Sequence, residues 1–132
     1  KIPLFGHYLK KIESISIKRD KTTKENLGFF ENILESVNLS NRPLLIFPQG
    51  TRVLPNEKPK FKKGTARIYD LLKIKCQPIA INSGFVWPKN QSMKKNKTIT
   101  ISILKPINPG LNDKNFLELL ENNIYSELDK IN

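Results

Sequence analysis

Hydrophobic positions along the chain form short apolar runs and alternating segments. Residues 44–47 (LLIF) and 78–81 (PIAI) are continuous apolar runs next to turn residues, which predicts two buried strands. Residues 12–19 and 98–104 alternate isoleucine with polar residues, which predicts two further strands, each with an exposed face. The sequence therefore predicts four strands.

Three other segments carry apolar residues three to four positions apart, as amphipathic helices do. The first follows Thr22 or Thr23, where Glu25 has the spacing of a capping box. The last begins at Asn112 or Asp113, both good capping residues. The apolar stripes are Leu27, Phe30, Ile33, Leu34 and Val37; Ile68, Leu71 and Leu72; and Phe116, Leu117, Leu120, Ile124 and Leu128. The order strand–helix–strand–helix–strand–strand–helix predicts an α/β fold with a mixed, largely parallel sheet flanked by helices.

The length and composition of the chain predict one globular domain over residues 1–132. The 132 residues are 38% hydrophobic and 27% charged, which suits a globular chain with its own core. No apolar run reaches the ~18 residues needed to span a bilayer. A single cysteine, Cys76, excludes an internal disulfide. Because the chain begins at Lys1 within an apolar and basic segment, we expect an N-terminally truncated domain.

The formal net charge of +11 indicates an anionic partner. Lysine-rich segments at 58–63 and 89–97 supply much of this charge. Nucleic acid, an acidic membrane surface and a phosphorylated substrate all fit the charge alone, and so does a compositional drift of the source. No recognisable nucleic-acid motif accompanies the charge, which disfavours a basic nucleic-acid-binding module.

Residues 47–52 (FPQGTR) are the main candidate for a functional site. Pro48 ends the predicted strand, Gly50 permits a sharp turn, and Arg52 offers a planar fork of donors suited to phosphate or carboxylate. A second polar turn, 82–84, follows the next buried strand. Ligands bind at the carboxyl ends of strands in open α/β sheets, so parallel neighbours would bring both turns together beside Arg19. A surface turn with a solvated arginine is the alternative.

Residues 47–52 closely resemble the FPEGTR block of the glycerolipid acyltransferases, the 1-acylglycerol-3-phosphate (lysophosphatidic acid) acyltransferase family. Further blocks resemble the family's in the same order, and they lie at residues 3–6, 15–19, 61–66, 78–84 and 105–107. The resemblance implies transfer of a fatty acyl group from acyl carrier protein or coenzyme A to lysophosphatidate, giving phosphatidate. The acyl thioester is a co-substrate, and the resemblance implies no other cofactor and no metal.

The resemblance also implies a catalytic His-x4-Asp block that this sequence does not contain. His7 is the one histidine, and the position where the block has aspartate is Ile12. We therefore assign no catalytic residue in this chain and expect the 132 residues alone to be inactive. Truncation explains the missing block, and a degenerate, non-catalytic homologue that binds anionic lipid is the alternative.

The resemblance assigns a set of residues to binding of the lysophosphatidate phosphate and its surroundings. They are Lys18, Arg19, Gln49, Gly50, Thr51, Arg52, Lys62, Asn82 and Ser83. A purely structural turn is the alternative for Asn82 and Ser83. Gln49 stands where the family has glutamate, and it keeps an acceptor oxygen but bears no charge. The implied location is peripheral, on the cytoplasmic face of the cell membrane, with acidic acyl carrier protein or coenzyme A thioester and the anionic membrane surface as partners. The apolar segment 85–87 is a candidate for contact with that surface.

Overall fold

The computed structural model describes residues 5–12, 14–15, 27–40 and 42–131. Its elements in chain order are α1 (Phe5–Lys11), α2 (Leu27–Leu39), α3 (Lys63–Leu72), β1 (Ile79–Ile81), α4 (Ser83–Val86), β2 (Ile101–Ile103) and α5 (Asp113–Ile131). The chain divides into two compact units, Lys1–Leu44 and Leu45–Asn132. The prediction of one domain over residues 1–132 stays a prediction.

The first unit contains α1 and α2. In α2 the side chain of Ile33 is buried, and the rings of Phe29 and Phe30 meet edge to face with centroids 5.3 Å apart. The predicted start of this helix at Thr22 or Thr23 lies outside the described residues, and so does most of the predicted strand over 12–19. Helix α1 was not predicted from the sequence.

The described part of the sheet is antiparallel, so the prediction of a largely parallel sheet is wrong there. Strands β1 and β2 pair in the register Ile79↔Ile103, Ala80↔Ser102 and Ile81↔Ile101. Parallel neighbours need a crossover, usually a helix. Here α4 is only four residues long, and the Lys94 N–H donates to the Val86 carbonyl at 2.8 Å where the connection turns back. The returning chain therefore enters β2 in the opposite direction to β1.

Residues 44–47 form no strand among the described residues, although their apolar run predicted one. Both Leu45 and Phe47 are exposed. The predicted strand over 78–81 is confirmed as β1, but it is buried on one face only: Pro78 and Ala80 are buried, whereas Ile79 and Ile81 are exposed.

Alternation over residues 98–104 correctly predicted β2 and its exposed face. The exposed side chains are isoleucines, however, because Ile101 and Ile103 lie beside Ile81 and Ile79 on the same face of the sheet. This pairing gives the two-stranded sheet one apolar face that the described residues leave exposed.

The core of the second unit lies where α3 packs on α5. The rings of Tyr69 and Phe116 stack, with centroids 3.8 Å apart and planes 6° from parallel. The core cluster comprises Phe61, Ala66, Tyr69, Ile107, Phe116 and Leu120. The predicted α5 stripe is thereby confirmed, and so is its cap, since Asn112 Oδ1 accepts the Asn115 N–H at 2.9 Å. Among the described helices, none combines the length and hydropathy that crossing a membrane requires.

Candidate functional site

The candidate FPQGTR segment forms a tight turn. The Gly50 N–H donates to the Phe47 carbonyl at 3.0 Å, and Gly50 adopts a φ of +71°. That left-handed conformation favours glycine, because a Cβ at such a φ approaches the backbone too closely. Thr51 and Arg52 follow directly and are both exposed. The turn therefore presents a hydroxyl and a guanidinium to solvent.

Lys62 lies against this turn although it is distant in sequence. Its N–H donates to the Pro48 carbonyl at 2.9 Å. A Cβ placed on Gly50 would lie 3.2 Å from Lys62 Cγ, so the aliphatic part of the lysine covers the glycine. The structure thus places Lys62 beside the turn that contains Gly50, Thr51 and Arg52, all of which belong to the predicted substrate-binding set.

Glu121 of α5 holds the segment that leads to Lys62. It is buried, and its two carboxylate oxygens accept from the Phe61 N–H at 2.6 Å and from Lys60 Nζ at 3.0 Å. A buried carboxylate is stable only when such donors satisfy it. No sequence pattern singled out Glu121, although its carboxylate accepts from both a backbone N–H and a lysine.

Tyr125, one helical turn beyond Glu121, contacts the same segment. Its hydroxyl donates to the Pro59 carbonyl at 2.5 Å, and its ring packs on Phe61 with centroids 5.1 Å apart. Burial raises the pKa of Tyr125. Helix α5 therefore holds the 58–61 segment through Tyr125 as well as through Glu121.

Acidic side chains of α5 pair with some of the site's cations, whereas others have no ion pair within the described part of the chain. Lys58 Nζ lies 2.6 Å from the Asp129 carboxylate, and Lys60 is paired as described above. Among the described residues, neither Arg52 nor Lys62 has an ion-pair partner. Both side chains are exposed. Among the described residues, Arg52 and Lys62 therefore offer unpaired positive charge to an anionic ligand at this turn.

The second predicted polar turn has an internal structural role. Asn82 is buried, its Nδ2 donates to the Ile131 carbonyl at 2.7 Å, and its Oδ1 accepts the Thr100 N–H at 2.8 Å. Ser83 begins α4, and its carbonyl accepts the Trp87 N–H at 2.7 Å. These bonds join the end of α5 to the residues before β2. A role for Asn82 and Ser83 in substrate binding stays a prediction.

The two polar turns do not meet through parallel strands, because the described sheet is antiparallel. The loop after Arg52 does approach α4: a Cβ on Gly84 would lie 3.6 Å from Pro55 Cγ. Lys18 and Arg19, predicted to join the site, lie outside the described residues. Within the described part of the chain, no cluster of His, Cys, Asp and Glu side chains could hold a metal ion.

A sequence model of the acyltransferase family matches residues 1–82, a range that contains the FPQGTR turn and Lys62. The match covers more than half of the chain, so the chain belongs to the acyltransferase family. Glu121 and Tyr125 lie beyond the matched range.

Two curated relatives are similar to the chain. A 1-acyl-sn-glycerol-3-phosphate acyltransferase of Helicobacter pylori is 28% identical over 128 residues, covering 96% of this chain and 53% of the relative. An enzyme of the same name from Pseudomonas aeruginosa is 30% identical over 102 residues, covering 77% of this chain and 39% of the relative. The chain thus spans about half the length of these relatives or less. No solved structure matches the chain.

Replacing Gly50 with alanine should destabilise the turn. We expect the free energy of unfolding to fall by about 1–2 kcal/mol, because alanine is strained at a φ of +71°. The new methyl group would also press on Lys62 Cγ. Urea unfolding of the 132-residue chain, followed by circular dichroism, measures the change.

Gly64→Ala is the matched control, because Gly64 lies inside α3, has no positive φ and has no atom within 4 Å of an added Cβ. Alanine should there stabilise the helix by about 0.5–1 kcal/mol. Equal stability of Gly50→Ala and the parent chain would contradict the geometry described for the turn.

Proposed function

We propose that this chain belongs to an enzyme that transfers a fatty acyl group from acyl carrier protein or coenzyme A to lysophosphatidate, giving phosphatidate. One observation carries the proposal: two exposed cations without acidic partners among the described residues, Arg52 and Lys62, lie at one tight turn. Family membership and the names of the two relatives support it.

The chemistry of the acceptor fits this turn. Lysophosphatidate carries a phosphate monoester, and the Arg52 guanidinium can donate two parallel hydrogen bonds to it. Lys62 adds a second positive charge, and Thr51 offers a hydroxyl donor. Holding the phosphate fixes where the acceptor hydroxyl lies relative to the thioester carbonyl, so the grip should increase turnover as well as affinity.

Acyl transfer forms an ester bond to the acceptor oxygen and breaks the C–S bond of the thioester. The acceptor's proton moves to a general base and from there to the sulfur, which leaves as a free thiol. The family resemblance assigns this base to the histidine of His-x4-Asp, which the present sequence lacks. We therefore propose that these 132 residues bind the acceptor and that residues outside them supply the base.

Association with an anionic membrane surface is part of the same proposal. Trp87 and Met93 are 66% and 63% exposed. The 89–97 segment, which follows Trp87 and contains Met93, is rich in lysine. Exposed aromatic and apolar side chains beside lysines suit a lipid headgroup region. The same lysines would favour an approach by acidic acyl carrier protein.

The test compares the 132-residue chain with a chain that includes everything its gene encodes upstream of Lys1. We expect the longer chain to acylate lysophosphatidate and the shorter one to bind it without turnover. Monoacylglycerol, which lacks the phosphate, is the control ligand and should bind much more weakly to both. Equal binding of the two lipids, or turnover by the 132 residues alone, would contradict the proposal.

A non-catalytic homologue that binds anionic lipid is the second candidate, and it would be favoured if the full gene also lacks a His-x4-Asp block. This candidate predicts lysophosphatidate binding by both chains and no transfer by either. Tight binding to mixed-sequence DNA with a steep salt dependence would instead support the nucleic-acid alternative.

A further inference from the structure

Three polar side chains of α5 contact the extended segment 58–61, and the two run in opposite chain directions. Each contact pairs one α5 residue with one position of the segment: Asp129 with Lys58, Tyr125 with Pro59, and Glu121 with Phe61. The three α5 residues are four positions apart, so they lie on one helical face over ~12 Å. The three steps from 58 to 61 span ~10 Å of extended chain, which matches that length. One face of α5 therefore holds the whole segment.

Glu121 makes the contact that lies closest along the chain to Lys62. It is 7% exposed, and its two oxygens accept the Phe61 N–H at 2.6 Å and Lys60 Nζ at 3.0 Å. The Phe61 side chain is buried in the core of the second unit, and side chains alternate in direction along extended chain. Fixing Phe61 in this way directs the side chain of Lys62 away from the core.

Lys62 then lies across the FPQGTR turn. Its N–H donates to the Pro48 carbonyl at 2.9 Å, and a Cβ on Gly50 would lie 3.2 Å from Lys62 Cγ and 3.6 Å from Lys62 Cε. Because Nζ is bonded to Cε, the ammonium lies at the same turn as Arg52. Lys60, two residues earlier, is instead paired with Glu121. One carboxylate therefore occupies one lysine and holds the backbone that places the next.

From these contacts we propose that Glu121 is a positioning residue of the FPQGTR turn. By accepting the Phe61 N–H, it holds the Lys62 ammonium over Gly50, where a phosphate bound to Arg52 can reach it. The consequence for lysophosphatidate rests on the proposed function. Glu121 lies beyond residues 1–82, so the match to the family model assigns it no role.

Amide hydrogen exchange tests the positioning without a ligand. In Glu121→Ala the buried Phe61 N–H loses its acceptor, so we expect the Lys62 and Gly50 amides to exchange about tenfold faster than in the parent chain. The Leu104 amide, which is bonded within the hairpin, should not change. Glu121→Gln keeps an oxygen that can accept the Phe61 N–H, so it should restore slow exchange.

Lysophosphatidate binding gives a second readout, and its sign separates position from charge. Both substitutions remove a negative charge near the turn, which on charge alone would strengthen binding of an anionic phosphate. We nevertheless expect Glu121→Ala to bind about tenfold more weakly than the parent chain, because Lys62 is no longer held over Gly50. Glu121→Gln should bind at least as tightly as the parent chain, since it keeps the hydrogen bond and loses the charge.

Leu117→Ala is the matched control for a loss of stability alone. Leu117 lies one helical turn before Glu121 and packs, partly buried, against the core. Its truncation should lower the midpoint of urea unfolding and leave lysophosphatidate binding unchanged. Should Glu121→Ala fail to fold, Tyr125→Phe serves in its place, because it removes the bond to the Pro59 carbonyl and keeps the ring on Phe61. We expect it to speed Lys62 exchange and weaken binding by about threefold.

Two results in a folded Glu121→Ala variant would overturn the proposal: exchange and binding like those of the parent chain, or losses equal to those of Glu121→Gln. Where Tyr125→Phe replaces it, unchanged exchange of the Lys62 amide would overturn the proposal. Failure of the parent chain to bind lysophosphatidate would instead refute the proposed function, since the exchange experiment needs no ligand.

Discussion

Replacing Phe116 with alanine should cost the second unit about 3–5 kcal/mol in free energy of unfolding. Phe116 is 1% exposed and stacks on Tyr69, so its removal leaves a cavity between α3 and α5. The free energy of unfolding of a small domain is about 5–15 kcal/mol in total, so this loss would be a large fraction of it. The midpoint of urea unfolding should be much lower than that of the parent chain. The largest loss of spectroscopic signal should come from the surroundings of Tyr69, whose stacking partner is removed.

Leu119→Ala is the control on the same helix, because Leu119 is 41% exposed. We expect a change within about 1 kcal/mol, as for most surface substitutions. Similar losses in both variants would mean that the α3–α5 contact is not the main source of stability in this unit.

The elements that the sequence predicts best are those set by local patterns. Helix α5 follows from the spacing of Phe116 and Leu120 and from the Asn112 cap, all of which act within one or two helical turns. Strand β2 follows from the alternation over 98–104. In each case neighbouring residues carry the information.

Strand pairing was not predicted correctly, because an apolar run does not specify its partner. Residues 44–47 read as a buried strand, yet Leu45 and Phe47 are exposed. The local pattern does not determine the direction of a strand either. Strands β1 and β2 pair antiparallel because the chain turns back through α4, and the apolar segment 85–88 did not predict that helix. A pattern of period two identifies a strand but not its neighbour.

The candidate site shows the same division. The FPQGTR turn and the exposed position of Arg52 follow from Pro48 and Gly50. The support that Glu121 and Tyr125 give to the site could not be predicted in this way, since their contacts join positions about half the chain apart. One signal was present: Glu121, Tyr125 and Asp129 recur every four residues on α5, which places three polar side chains on one face of the helix.

Arg52→Ala should remove most of the affinity for lysophosphatidate without destabilising the fold. Hydrogen bonds to charged groups contribute about 1.5–3 kcal/mol, so we expect binding to weaken by about 10- to 100-fold. The free energy of unfolding should stay within about 0.5 kcal/mol, because Arg52 is exposed and has no ion-pair partner among the described residues. Titration calorimetry and urea unfolding measure the two quantities.

Two further variants separate the arginine's geometry from its charge. Arg67→Ala removes an equal charge from the exposed face of α3, outside the turn, and should leave lysophosphatidate binding within about twofold of the parent chain, since water and salt screen an exposed charge. Arg52→Lys keeps the charge but loses the planar fork, so it should recover only part of the affinity. In the longer chain, kcat should fall with affinity in Arg52→Ala, because a loosely held phosphate misplaces the acceptor hydroxyl. Equal losses in Arg52→Ala and Arg67→Ala would show that lysophosphatidate responds to net charge alone and that the turn is not its binding site.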